Sequence, residues 1–251
     1  MGTIMRGRLL AGAVLCVVLL AVTVACGGGG NEEATVGPSP GATGTPAGTP
    51  AGTPTAVPSA LEEQLNGMVL QLSDLPDGFS VVQESFSTNE DVAGDAEDAA
   101  EVLARLAEWG RIMGHGVVFA SETSSGQSGV LLVDSTASLY ENDTGAAASF
   151  SEAVDTARAT DWAATVAEAT DVAVEEVPPL DVAGEMLWMR ITGNALLGDP
   201  PSEQPFIQDV VLLRVDRVRG SVSVLANAAD AAVLVESMVR AQAAYMAAGA
   251  Q

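Results

Sequence analysis

From residue 61 to residue 251 the chain switches repeatedly between a hydrophobic period near 3.6 and a period of two, the signatures of a helix face and a strand face. LEEQLNGMVLQL (61–72) reads as a short helix, which Pro76 and Gly78 in the following SDLPDGF bring to a turn. FSVVQES (79–85) reads as a strand. Between Glu90 and Trp109, Val92, Ala96, Ala99, Leu103 and Leu106 recur at steps of four and three, predicting one amphipathic helix with Asp91, Asp95 and Asp98 on its polar side. RIMGHGVVFAS (111–121) and GVLLVDSTASLY (129–140) are strand patterns, with ETSSGQS (122–128) as the loop between them.

Asp143 is placed to cap a helix running through Phe150, Val154 and Ala157, with a break near Asp161. TDVAVEEVPPL (170–180) and EMLWMRITG (185–193), joined by DVAG, form a hairpin pattern; NALLGDPPSEQP (194–205) reads as a long loop. FIQDVVLLRV (206–215) and RVRGSVSVLA (217–226) straddle Asp216 as a second hairpin. After Asn227 a closing helix gathers Ala231, Leu234, Met238, Ala241 and Tyr245 on one face. Hairpins with helices set between them predict an α+β fold, a mostly antiparallel sheet with helices packed on it, and argue against a doubly wound parallel sheet.

The first sixty residues follow a different logic. Arg6 and Arg8 precede an uncharged apolar run, Leu9 to Val22, which ends in small residues before Cys26: the order of an export signal. Cys16 lies inside the run and leaves with it, so the mature chain holds one thiol, at its first residue. This layout resembles the bacterial lipoprotein class, in which the cysteine after a lipobox receives a diacylglyceryl thioether and becomes the new N-terminus. The resemblance implies a lipid on Cys26 and attachment to the cell membrane, facing outside the cytoplasm. Thr23 departs from the aliphatic residue common at its position in that motif, whereas Ala25 fits it. Plain cleavage after Ala25 and an uncleaved membrane helix over Leu9–Ala25 are the other readings of the segment; that span sits at the short end of the roughly 17–25 residues a crossing needs.

Behind Cys26 the composition turns to Gly, Pro, Thr and Ala, with the near-repeat GTPAGTPAGTPT at 44–55. So few large apolar groups cannot offset chain entropy, and the segment reads as a disordered linker whose Thr-Pro pairs are also candidate sugar acceptors. The predicted organisation is therefore a signal peptide (1–25), a lipidated N-terminus and linker (26–60), and a single α+β domain (61–251).

A weaker resemblance covers roughly Leu61 to Ala248. The LSDLPDGF turn, the strand–helix–strand succession and the closing VVLLRVDRVRGSVSVLANA hairpin followed by a helix resemble a group of exported lipoproteins. That group is itself similar to the extracellular sensor domains of receptor kinases and to the PsbP-like α/β/α sandwich. The resemblance implies a module that binds a small ligand or a protein, and it carries over no site residue.

Charge narrows the partners. The formal net charge is −23, two units more negative once Arg6 and Arg8 depart, and every basic residue is arginine. Such a surface repels phosphate backbones, which excludes nucleic acid, and repels anionic headgroups, which leaves the tether on Cys26 as the route to the membrane. His115 is the single histidine. It would have to be the base of an envelope hydrolase, with Ser128 as nucleophile; Gly126 and Ser128 match the nucleophile elbow, but Val130 stands where a second glycine belongs and a strand follows. Between two glycines, His115 reads instead as a turn or strand-edge residue.

Zinc requires clustered Cys and His, which the chain lacks. Oxygen ligands for calcium are abundant in Asn89, Glu90, Asp91, Asp95, Glu97, Asp98 and Glu101, but helical spacing spreads them and no calcium-loop pattern occurs there or in YENDTG (140–145). No metal or cofactor is expected. Asn142-Asp143-Thr144 matches a glycosylation sequon and reads as a helix cap. Trp109, Trp162 and Trp188 read as core, with a ligand cavity as the alternative, and the 194–205 loop as a possible pocket rim. The reading that results is a membrane-anchored, non-catalytic binding module for a small amphiphile or an envelope protein, with an envelope hydrolase using His115 or a structural partner in an envelope assembly as alternatives.

Overall fold

A computed structural model describes residues 59–94, 96–121, 130–166, 169–197, 202–227 and 232–251, and the account of the fold concerns these. The first helix, α1 (Ala60–Asn66), opens on a capping box: Ser59 accepts from the Glu62 amide while the Glu62 carboxylate accepts from the Ser59 amide. A 3-10 turn at Leu72–Asp74 leads to β1 (Phe79–Ser87). Two short helices follow, α2 (Asn89–Gly94) and α3 (Ala99–Glu108), then β2 (Arg111–Ser121) and β3 (Val130–Tyr140). The next elements are α4 (Asp143–Ala159), α5 (Trp162–Thr165), β4 (Thr170–Glu176) and β5 (Glu185–Leu197). The chain closes with β6 (Ser202–Val215), β7 (Val218–Ala226) and α6 (Ala232–Gly249).

The seven strands form one antiparallel sheet in the order β1-β2-β3-β7-β6-β5-β4. This is the α+β architecture the alternating periods predict. Consecutive strands pair throughout, β1 with β2 across the α2–α3 pair, except that β3 does not pair with β4: β7 returns to lie beside β3, which joins β1–β3 to the meander β4–β7.

Because side chains alternate across a pleated sheet, the register sorts them into two layers. One face carries Val117, Phe119, Val133, Ala137, Leu139, Val211, Leu213, Val222 and Val224, packed against Leu65 and Met68 near α1 and Val235, Met238, Val239 and Met246 of α6. The other face carries Leu187, Met189, Ile191, Val210 and Leu212 under Phe150 and Ala157 of α4 and Trp162 of α5. A third, small cluster holds α2 and α3 together through Ala93, Val102 and Leu106.

Several local expectations change. The helix expected from Glu90 to Trp109 is two helices, because Gly94 ends the first and Asp98, rather than lining a solvated face, caps the second by accepting from the Glu101 amide. Asn142, not Asp143, caps α4 through its bond from the Gly145 amide; the break near Asp161 is real, and Asp161 caps α5. The 194–205 stretch is not a loop: Asn194 to Leu197 pair with Pro205 back to Ser202, and β7 reaches β6 only from Ile207 onward. Pro205 therefore sits where β6 has a neighbour on one side alone, the position that tolerates a residue without an amide hydrogen. The buried face of α6 is centred on Val235, Met238, Gln242 and Met246, one step around from the expected stripe; Leu234 and Ala241 pack at its border, Tyr245 is half-buried, and Ala231 lies outside the described residues.

Candidate functional site

The α4 face of the sheet is apolar at one side and polar at the other, and the register shows why. Reading across the strands, Ser87, Gly114, Ser138, Arg219 and Arg214 form one row. Ser85, Gly116, Thr136, Ser221 and Leu212 form the next, and Gln83, Val118, Asp134, Ser223 and Val210 a third. Ala120, Leu132, Leu225, Gln208 and Ile191 form a fourth. Small hydroxyl residues and glycine thus occupy the centre of the sheet where valine or leucine would normally sit.

Two helices border this floor. Helix α4 lies on β6 and β7, while α2 and α3 lie on β1 and β2. They meet at one end: a Cβ on Gly145 would stand 1.7 Å from the Trp109 carbonyl oxygen, and Arg105 of α3 bonds Glu152 of α4 at 3.2 Å. Away from that junction the floor is open along its middle, over β2 and β3, while Val210, Leu212, Ser223 and Gln208 are buried. Ser85 is exposed, Gly116, Thr136, Asp134 and Ser221 are half-exposed, and a Cβ added to Gly116 would meet only the Thr136 methyl at 3.6 Å.

The closed end is held by arginine. The Arg111 guanidinium lies over Gly114, where a Cβ would stand 2.3 Å from Nη2, and donates to the Ser87 carbonyl and hydroxyl, Asn89 Oδ1 and Ser138 Oγ. Burial lowers its pKa, with Arg219 nearby acting in the same direction and Tyr140 and Asp91 opposing. Arg219 donates to Ser149 Oγ at 2.9 Å, and Ser149 shares a 2.7 Å bond with the Tyr140 hydroxyl. Farther along the floor Thr136 and Ser221 share a 2.6 Å hydroxyl bond.

Asp134 lies at the open part of the floor, directly across the ladder from Ser223. Burial alone raises its pKa to about 7: the carboxyl is surrounded by enough protein to lose much of its hydration while it still touches solvent. Beside it, Gln208 is 1% exposed, bonds the Ser223 hydroxyl through Nε2 at 3.4 Å, and leaves Oε1 without a partner. Exchanging the amide's oxygen and nitrogen would move the orphan to the other atom, so one amide group stays unmatched either way.

The other face spends its polar residues differently. Ser135 accepts from the Leu70 amide at 3.0 Å and donates to Gln242 Oε1 at 2.7 Å, while Gln242 Nε2 donates to the Thr136 carbonyl at 2.7 Å. Asp209 accepts from Trp188 Nε1 and from Arg190 through both carboxylate oxygens. His115 is also there, inside the sheet between β1 and β3, not at an edge or turn. It stacks on Phe86 at 4.2 Å and its Nε2 faces Glu84 Oε1 at 3.2 Å, leaving Nδ1 buried and unpartnered. Burial lowers its pKa against the opposing pull of Glu84 and the Leu65 backbone.

Of the other candidates, Cys26, Gly126 and Ser128 lie outside the described residues, as does Asp95. Asp91 is taken up by the Thr88 amide and hydroxyl. Among the described residues no group of three or more His, Cys, Asp or Glu could hold a metal ion, and no helix is long and apolar enough to cross a membrane. Trp162 and Trp188 are core; Trp109 is half-buried, with the Arg105 guanidinium 5.7 Å from its ring centre.

The sequence signal for the polar floor was present in two strands. In LLVDSTASLY the period of two puts Asp134, Thr136 and Ser138 on one side, and in GSVSVLA it puts Ser221 and Ser223 on one side. Only the β3–β7 pairing, which no local pattern encodes, brings the two runs together.

No family model matches the chain, and no curated protein sequence matches it significantly. Among solved structures it is similar to the extracellular domain of PknH from Mycobacterium tuberculosis, with a TM-score of 0.43 and 12% identity over 71% of this chain and 94% of that one. At that level the likeness assigns no ligand or role.

Proposed function

We propose that the chain is a lipid-anchored, extracytoplasmic, non-catalytic binding protein whose ligand enters the open floor between the α2–α3 pair and α4. The observation that carries this reading is the half-exposed row Gly116–Thr136–Ser221 at the middle of a seven-stranded sheet, where an apolar layer would otherwise be covered. Small-ligand sites join apolar surface to a few fixed polar groups, and here Val118 and Ala120 adjoin Asp134, Thr136 and Ser221. Anchoring rests on the export signal and on Cys26 as the single mature thiol. A diacylglyceryl group supplies the two chains that stable attachment requires.

A hydrolytic role for His115 has less support, since its ring is enclosed on the opposite face, stacked on Phe86 with Nε2 turned to Glu84. The test is mass spectrometry of the protein purified from its native membrane, alongside a Gly116→Trp variant. The expected outcome is a diacylglyceryl mass on Cys26 and a co-purified small molecule that the tryptophan variant loses. An unmodified Cys26, or a ligand retained when the floor is filled, overturns the corresponding half.

A further inference from the structure

The open floor contains a carboxyl with no counter-charge, and that defines the chemistry able to complete it. Among the described residues no hydrogen bond or ion pair holds Asp134, although all five ion pairs found there employ carboxylates elsewhere. Its facing neighbours are Val118 of β2 and the Ser223 hydroxyl of β7. The charged groups of the same face are remote in register: Arg219, Arg214 and Arg111 lie at the row shared with Ser138, four residues along β3, or about 13 Å at the strand rise. On α4, Glu152 pairs with Arg105 and Arg158 pairs with Glu176 of β4. None of them contributes to the carboxyl's titration, which burial alone displaces.

Gln208 repeats the deficit one row away. It already donates to Ser223, and its buried oxygen still lacks a donor. The group missing from this part of the floor is therefore a donor of several hydrogen bonds, and opposite the carboxylate it is best a positive one. Val118, Ala120, Leu132 and Leu225 surround these polar groups with apolar surface, and a chain of net charge −23 concentrates cations around itself.

We propose that the floor of the trough binds a small alkylammonium ligand, its N–H donors taken by Asp134 and its alkyl portion laid on the half-exposed Val118 and Ala120. This inference rests on the trough being the ligand site and names the ligand class. Ser223, across the ladder from Asp134, adds a hydroxyl acceptor beside the carboxylate. Binding a cation holds Asp134 ionised, so below its titration point each ligand bound releases one proton.

The experiment uses full-length protein in detergent micelles with n-hexylammonium, n-hexanol and hexanoate as probes, followed by calorimetry from pH 5 to pH 9. The expected result is binding of hexylammonium alone, tightening about tenfold per pH unit up to pH 7 and levelling above it, with Asp134→Asn weakening it at least tenfold at pH 8. Asp134→Ser serves as the second variant if the asparagine chain misfolds, and Ser223→Ala is expected to weaken binding severalfold. Equal binding to wild type and Asp134→Asn overturns the proposal, as does binding that ignores pH, or no binding of hexylammonium. If hexanol or hexanoate binds instead and Gly116→Trp abolishes it, the cation is wrong and the trough remains the ligand site.

Discussion

Gly116 and Gly220 sit on the two strands that flank β3, and a single methyl group added to each would meet opposite surroundings. On Gly116 it would touch one methyl at ordinary contact distance. On Gly220 it would stand 2.8 Å from the Thr136 carbonyl oxygen, 2.9 Å from the Met246 sulfur and 3.0 Å from Gln242 Nε2. The two glycines report the two sides of one sheet. The α6 side is closely filled around Gly220 and its buried polar groups are matched in networks, His115 Nδ1 excepted. The opposite side leaves small residues, a lone carboxyl and an unmatched amide at the centre. One backbone can therefore carry a filled layer and an open one, separated only by which residue parity faces which way.

The largest break in this contrast comes from Asp209. Asp209→Ala strands the Arg190 guanidinium and the Trp188 indole N–H beside it, and is expected to cost about 3–5 kcal/mol in denaturant unfolding, the range for breaking a buried pair from one side. Gly220→Ala is the next largest, a loss of about 1–3 kcal/mol from overpacking.

Asp134→Asn has the opposite sign. The carboxyl's folded pKa of about 7 lies above its ordinary 3.8, so the folded state holds the proton more tightly, and stability falls as pH rises from about 4 to 7. Removing the charge is expected to stabilise the fold by about 2 kcal/mol at pH 8, an amount reduced for solvent contact, and by nothing near pH 4. His115 works the other way: its pKa is lowered from 6.5, so the unfolded chain takes the proton first and stability falls as pH drops below 6.5. In His115→Phe this acid-side loss is expected to vanish from the pH series of unfolding curves. The smallest effect belongs to Gly116→Ala, a gain of about 0.4–1 kcal/mol through restriction of the unfolded chain.

Much of the sheet was legible because the alternating GSVSVLA and the continuous apolar run of FIQDVVLLRV, buried on both faces of the sheet, have few other solutions. The errors came where local propensity met tertiary pairing. Pro200, Pro201 and Pro205 made 194–205 resemble a loop, yet paired strands extend through most of it. His115 resembled a turn residue because of its flanking glycines; in fact Gly114 is there to admit the Arg111 guanidinium. The floor itself was illegible, since its members come from β2, β3, β6 and β7, and the partner choice of β7 follows from the packing of whole layers rather than from any motif.

The ends of the folded chain supply one more consequence. Gln64 of α1 donates to the Gly249 carbonyl at 2.7 Å, Met68 fills the space where a Gly249 side chain would stand, and Arg217 donates to the Ala250 carbonyl at 3.1 Å. Tension applied ahead of Ser59 is therefore transmitted straight into the last turn of α6, and loosening Gly249 and Ala250 would slacken the very place where a leash would tug.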